Sequence, residues 1–127
     1  MTILELNHVA LHVSDLDASI AFYRDGLELP QIPRPAFDFP GAWFRLGPKQ
    51  ELHLIAGRAL PTPGHNRTRH FALRVASIDE AEALLRRNGL AHRPRKRRPD
   101  GAWQLFLADP DGHMIELTDF SPLETTS

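Results

Sequence analysis

Cysteine is missing from this sequence of 127 residues. Disulfide bonds and thiolate metal ligands are therefore excluded, and a chain without cysteine is expected in the cytoplasm. Any metal ion bound by the protein would need imidazole nitrogen and carboxylate oxygen as ligands. Histidine is plentiful, with 7 copies, so such ligands are available.

Long apolar runs and an excess of charge of either sign are also missing. The formal net charge is -1, so no global charge favours binding to nucleic acid or to an acidic membrane. No stretch approaches the ~20 apolar residues of a membrane span, and Glu5, Asn7 and His8 interrupt the N-terminal apolar run, which is unlike a signal peptide. We therefore expect a single domain that binds neither nucleic acid nor membrane.

The chain contains one internal repeat. Residues 8–24, HVALHVSDLDASIAFYR, align without a gap with residues 70–86, HFALRVASIDEAEALLR. The identical pairs are His8/His70, Ala10/Ala72, Leu11/Leu73, Val13/Val75, Asp17/Asp79, Ala21/Ala83 and Arg24/Arg86. When the offset grows by one residue, Gly26 aligns with Gly89 and His53 aligns with Glu116. The two halves are therefore expected to be structural copies.

Each half has the pattern of a β-α-β-β-β unit, which predicts an α+β fold. Apolar periodicity predicts helices over Ala18–Arg24 and Ile78–Asn88, with Gly26 and Gly89 as left-handed C-caps. Strands are predicted at residues 3–13, 28–33, 41–47 and 51–56 in the first half, and at 68–75, 90–95, 102–108 and 113–119 in the second. This assigns residues 1–57 to module 1, 58–67 to a linker rich in Pro and Gly, 68–120 to module 2 and 121–127 to a tail.

Strand alternation places four metal-type residues on related faces. Side chains on a strand point to opposite faces in turn. In the repeated first strands, His8 and His70 lie opposite the apolar side chains that should cover the helices. In the last strand of each half, His53 and Glu116 likewise alternate with leucine and isoleucine. If the two copies pair symmetrically, all four side chains converge on one divalent metal ion.

Three segments carry a resemblance to a known family. They are LNHVALHVSDLDASIAFYRDGLEL at the start, RHFALRV in the middle and DPDGHMIEL near the end. Together they resemble the vicinal oxygen chelate superfamily, which includes glyoxalase I, methylmalonyl-CoA epimerase, fosfomycin-resistance enzymes, extradiol dioxygenases and bleomycin-resistance proteins. The resemblance implies two βαβββ modules in pseudo-two-fold pairing, which form a U-shaped, mostly antiparallel sheet around a metal site.

The same resemblance implies roles for individual residues. His8, His70 and Glu116 fall on the family's ligand positions, and His53 falls where glyoxalase I has a glutamate. Ligands of this type suit Zn, Ni, Co, Fe or Mn, which act as Lewis acids on a substrate with vicinal oxygens. Glu116 would also serve as the catalytic proton shuttle. Because His53 replaces a carboxylate, only one such shuttle is expected.

Three functions stay open at this point. A metal-dependent lyase or isomerase of glyoxalase type is favoured. Two histidines and one carboxylate also suit a non-haem Fe(II) dioxygenase of extradiol type. A third alternative is a binding protein without catalysis, like the bleomycin-resistance proteins. A homodimer is expected from the family, and the modules could pair within one chain or between two.

The remaining candidates concern the substrate. Trp43 and Trp103 are expected to line its pocket. Residues 93–98, RPRKRR, contain five basic side chains in six positions, either as a solvated hairpin rim or as a clamp for an anionic group. Arg95, in the middle of this run, is the candidate ligand of that group. A small molecule is therefore the expected partner.

Overall fold

The computed structural model describes residues 1–59 and 69–124, which divide into two compact units, Met1–Pro61 and Thr62–Ser127. Most of the predicted linker at 58–67, and the last three residues of the predicted tail, lie outside the described residues. None of the helices in the described part of the chain has the length and apolar character needed to cross a membrane.

The first unit contains one mixed sheet of four strands. Its elements are β1 (His8–Val13), α1 (Leu16–Ile20) continued by a π-helical segment (Ala21–Gly26), β2 (Gln31–Ile32), β3 (Gly41–Leu46) and β4 (Gln50–Ala56). The strand order is β1-β4-β3-β2. The pairing of β1 with β4 is parallel, and the other two pairings are antiparallel.

The second unit repeats this arrangement. Its elements are β5 (His70–Arg74), α2 (Ile78–Arg87), β6 (Lys96–Arg97), β7 (Trp103–Ala108), β8 (Met114–Asp119) and a short 3₁₀ helix (Ser121–Leu123). The strand order β5-β8-β7-β6 matches that of the first unit, with β5 parallel to β8. The predicted α+β fold with two β-α-β-β-β modules is therefore confirmed.

The two main helices begin at side-chain caps. Asp15 accepts a hydrogen bond from the backbone N–H of Ala18 at 3.1 Å, and Ser77 accepts one from that of Glu80 at 3.2 Å. Such caps satisfy N–H groups that have no partner within the helix. The repeated aspartates Asp17 and Asp79 occupy the first turns instead. Their negative charges interact favourably there with the positive end of the helix dipole.

One predicted cap is wrong. Gly89 has the positive φ of 67° that a left-handed C-cap needs, but Gly26 is the last residue of the π-helical segment and is not left-handed. The backbone N–H of Leu27 donates to the carbonyl of Phe22 at 2.9 Å, which extends the right-handed turn past Gly26. The left-handed residue comes later, at Glu28, whose φ is 59°.

Three predicted strands differ markedly from the observed ones. The strand expected at 28–33 is reduced to Gln31–Ile32. The strand expected at residues 3–13 is shorter and begins at His8, which pairs with Glu51 near the start of β4. The strand expected at 90–95 lies instead at Lys96–Arg97. Pro94 has no backbone N–H to donate to a ladder, which disfavours a strand across it.

Burial follows the predicted alternation in β1 and β4 of the first unit, whereas all six residues of β8 in the second unit are buried. In β1, Leu11 and Val13 are buried while His8 is exposed, and in β4 Leu52 and Leu54 are fully buried while His53 is only partly so. In the first unit the helix covers the buried face. Tyr23 of the π-helical segment packs near the ring of Phe44, with 6.1 Å between ring centroids. The opposite face of this first sheet carries His8 and His53.

Candidate functional site

A histidine and a glutamate meet on the polar face of the second sheet. Strands β5 and β8 are parallel neighbours, and Ala72 pairs with Glu116. His70 lies two residues before Ala72 and therefore shares its face. The Nε2 atom of His70 is 3.2 Å from Oε1 of Glu116. Two predicted ligands are therefore brought together within this unit.

The carboxylate of Glu116 is buried and held on one side. Its residue is only 6% exposed, so the charge needs polar partners nearby. Gln104 donates from Nε2 to Oε2 of Glu116 at 3.2 Å, and the hydroxyl of Thr118 donates to the same oxygen. These contacts fix the orientation of the carboxylate and leave Oε1 on the side of His70.

The pair opens into a cavity of about 440 Å³. This volume lies in the range of about 300–1,000 Å³ that is typical of small-molecule sites. The ring of His70 makes an edge contact with Phe106, at 5.8 Å between centroids. The lining residues are His70, Arg93, Pro94, Lys96, Gln104, Phe106 and Glu116. A buried acid, an imidazole and two cations therefore face one small chamber.

The other two predicted ligands meet in the first unit. The rings of His8 and His53 are stacked, with 4.2 Å between centroids and an interplanar angle of 17°. Trp43 stacks on the ring of His53 at 3.8 Å and 3°. Trp43 and His53 are register partners on the antiparallel strands β3 and β4, which explains this contact. His53 is thus packed between two rings.

A glutamate fixes the proton on His53. Nε2 of His53 lies 2.9 Å from Oε1 of Glu51, two residues earlier on the same strand. A carboxylate can only accept a hydrogen bond, so Nε2 of His53 carries the hydrogen in this contact. In a neutral imidazole the lone pair is then on Nδ1. If His53 binds a metal ion, Nδ1 is the atom that this arrangement leaves for it.

The four predicted ligands thus form two pairs, one in each unit. Among the described residues, no group of three or more histidine or acidic side chains is arranged to hold a metal ion. The site that combines His8, His53, His70 and Glu116 remains a prediction.

The predicted substrate residues lie in different surroundings. Trp43 stands beside His53 and a surface cluster that contains Phe37, 6.0 Å away between ring centroids. Gln104 on β7 faces the cavity that contains Glu116. Trp103 is the adjacent residue on the same strand, so its side chain lies on the opposite face of the sheet. Arg95 places its guanidinium over the ring of Trp103, 4.6 Å from the centroid. Neither Arg95 nor Trp103 lines that cavity.

Three contact residues were not singled out from the sequence. Glu51 and Thr118 each lie two residues from a predicted ligand on the same strand, so alternation could have identified them. Gln104 could not be found in this way, because its contact with Glu116 depends on the register of β7 against β8.

Comparison with known proteins agrees with the repeat and the fold. The lactoylglutathione lyase of Salmonella typhimurium is 32% identical over 127 residues, covering 91% of this chain and 93% of that protein. The metallothiol transferase FosB of Bacillus licheniformis is 30% identical over 122 residues, covering 91% and 75%. A crystal structure of a glyoxalase family protein from Bacillus anthracis matches with a TM-score of 0.79 and 27% identity, covering 94% and 97%.

The family model for the Glyoxalase/Bleomycin resistance protein/Dioxygenase superfamily matches residues 5–117, which cover nearly all of both modules and include all four predicted ligands. The chain therefore belongs to this superfamily.

Proposed function

We propose that this chain is a divalent-metal-dependent lyase or isomerase of glyoxalase type, acting on a small molecule with two adjacent oxygen atoms. The observation that carries the proposal is the contact of 3.2 Å between His70 Nε2 and Glu116 Oε1 at a small-molecule cavity. In this proposal residues 1–127 act as one domain, whose modules pair within one chain or between two copies.

The spacing of this pair fits a metal ion. Two neighbouring ligand atoms bound at about 2.0–2.2 Å to one ion lie about 2.8–3.6 Å apart in octahedral or tetrahedral geometry. His70 and Glu116 would hold the ion together with His8 and His53. This donor set of imidazole and carboxylate suits Zn, Ni, Co, Fe or Mn. When bound, such an ion supplies Lewis-acid polarisation of the substrate oxygens.

Glu116 is the proposed group that moves a proton. Gln104 and Thr118 both donate to Oε2, which orients the carboxylate, so that Oε1, the oxygen beside His70, is the atom proposed to take up the substrate proton. The repeat-related position holds His53, so Glu116 has no symmetric carboxylate partner.

One relative, a lactoylglutathione lyase, supports this class of reaction. Another is a metallothiol transferase, so relatives of similar identity differ in the reaction that their names describe. Identities of about 30% leave the substrate of this chain open, because residues that line a cavity vary on a shared scaffold. Because one relative is a lactoylglutathione lyase, lactoylglutathione is the first compound to test.

Metal analysis of the purified full chain tests the proposal. We expect zinc, nickel or cobalt to copurify or to bind on titration, and to support turnover. His70→Ala should lose the metal, while His92→Gln, a histidine of the same unit outside the cavity lining, should retain it. Retention of full metal occupancy by both His8→Ala and His70→Ala would show that the assigned ligands are wrong. Iron with catechol-dependent oxygen uptake would indicate a dioxygenase instead.

A homodimer is also proposed. Ile3, Leu4 and Leu6 are 77%, 89% and 69% exposed, an apolar segment that a second copy could cover. Light scattering during gel filtration should then give twice the chain mass of 14.3 kDa. A mass of one chain at micromolar concentration would contradict the dimer.

A further inference from the structure

The basic run Arg93–Arg98 divides into two groups by its contacts. Arg95 belongs to the group that stabilises the module itself. Its Nη1 lies 2.6 Å from Asp79, and its Nε lies 3.0 Å from Glu82, both on helix α2. Its guanidinium also stacks on Trp103. The charge of Arg95 is therefore paired with groups of the module itself.

Arg97 and Arg98 belong to the same group. The guanidinium of Arg97 lies 4.4 Å from the ring centroid of Trp103, on the other face from the cavity. Arg98 binds Asp100, which lowers the pKa of that carboxyl to about 2, and also lies over the ring of Phe120 at 4.9 Å. These contacts hold the turn and the edge strand in place.

Arg93 and Lys96 form the second group, since both line the cavity that contains Glu116. Lys96 pairs with Gln104 across β6 and β7, which places the two side chains on one face. Its Nζ lies 5.2 Å from the ring centroid of Phe106. In the described parts of the chain, neither Arg93 nor Lys96 is ion-paired with a carboxylate.

The charges of the cavity therefore do not balance. Two cations, Arg93 and Lys96, face one acidic side chain, Glu116. Oε2 of Glu116 already accepts from Gln104 and Thr118, and Oε1 faces His70. A concave surface with excess charge of one sign concentrates ligands of the opposite sign. An arginine and a lysine are also the side chains that best bind carboxylate and phosphorus oxyanions.

We propose that this cavity binds a small organic acid and that Arg93 and Lys96 hold its anionic oxygen group. The substrate class of the proposed enzyme would then be a small molecule with an oxyanion at one end. The oxygens at its other end react at His70 and Glu116. This assignment rests on the proposed function for the reacting end, while the binding of the anion is independent of it.

Binding of three small probes to the full chain tests this proposal. Malonate and methylphosphonate carry the two kinds of anionic group, and malonamide is an uncharged analogue of malonate. Titration of the metal-free protein, followed by amide NMR shifts, should show saturable binding of at least one anion at residues 93–106. Malonamide should bind at least tenfold more weakly. The stronger anion identifies whether the site favours carboxylate or a phosphorus oxyanion.

Variants distinguish local contacts from net charge. Lys96→Met and Arg93→Gln should each raise the Kd of the bound anion about tenfold or more, equivalent to about 1.4 kcal/mol. Arg97→Gln removes the same charge from the same strand but faces Trp103, so its Kd should change less than twofold. An equal loss in Arg97→Gln would show a non-specific charge effect and would overturn the proposal.

Two further outcomes would also overturn it. They are the absence of saturable anion binding to the wild-type chain up to about 20 mM, and equal affinity for malonamide. Zinc titration of the same samples keeps this test separate from the proposed function. Anion binding without metal binding would contradict only the metal-dependent reaction, whereas metal binding without anion binding would contradict only the organic-acid site.

Discussion

Replacement of Glu116 by glutamine separates the chemistry of this side chain from its packing. The amide has nearly the same shape as the carboxylate, and its oxygen can still accept from Gln104 and Thr118. The amide nitrogen would then face Nε2 of His70, which can accept when it carries no hydrogen. Glu116→Gln is therefore expected to fold, but it cannot take up a proton.

The expected magnitudes follow from these contacts. Two hydrogen bonds to a charged acceptor, worth about 1.5–3 kcal/mol each, become neutral ones worth about 0.5–1.5 kcal/mol. The free energy of unfolding should fall by about 2 kcal/mol. Loss of a positioned acid–base group should lower kcat by about 10²–10⁴-fold. The affinity for zinc should weaken and not disappear, because the imidazole ligands remain.

The assay combines denaturant unfolding, zinc titration and turnover on the same preparation. Glu124→Gln is the matched control, since Glu124 is an exposed carboxylate of the same unit that pairs with Arg74 at 2.5 Å. The control should keep both metal affinity and turnover. If Glu116→Gln keeps kcat within tenfold of the wild type, Glu116 is not the proton-transfer group.

Three further predictions concern other parts of the chain. Glu51→Gln should weaken zinc affinity about 10-fold or more by releasing the His53 ring, whereas unchanged affinity and an unchanged imidazole ¹⁵N spectrum would contradict this role. Gly41→Ala should destabilise the chain by about 1–3 kcal/mol in denaturant unfolding, because a Cβ there would lie 2.3 Å from the carbonyl oxygen of Leu54; wild-type stability would refute this. Burial alone would raise the pKa of Asp119, but hydrogen bonds from Ser121 and Ile78 outweigh it and hold the pKa below its usual 3.8. The stability that ionised Asp119 contributes is therefore lost as the pH falls below about 3.8. The variant Asp119→Asn should reduce the pH dependence of the free energy of unfolding in that range.

The internal repeat made the architecture predictable. Its aligned residues gave two copies of one β-α-β-β-β unit, and the apolar alternation gave the buried face of each strand. Leu52 and Leu54 are buried on one face of β4, and His53 lies on the other, as the pattern predicts. The local pattern of apolar residues is enough to predict the buried face of this strand. Burial of alternate apolar side chains is the main free-energy term that decides which face of a strand turns inward.

Element boundaries depended on long-range pairing and were predicted less well. The first strand begins at His8, and its pairing partner Glu51 lies about 40 residues later in the chain. The helix end in the first unit shifted for a different reason. A hydrogen bond from Leu27 to Phe22 extends the turn beyond Gly26, and a single glycine in the sequence does not reveal this geometry.

The sequence by itself determined the family, the repeated module and the correspondence of His8 with His70 and of His53 with Glu116. These follow from residue identity and periodicity along the chain. Only the tertiary structure decided which neighbours each polar side chain meets. It placed Arg95 on Trp103 and helix α2, and it turned Arg93 and Lys96 toward Glu116. The register of β6 against β7 places Lys96 opposite Gln104 and Arg97 opposite Trp103, and that register is set by tertiary contacts that the local sequence does not reveal.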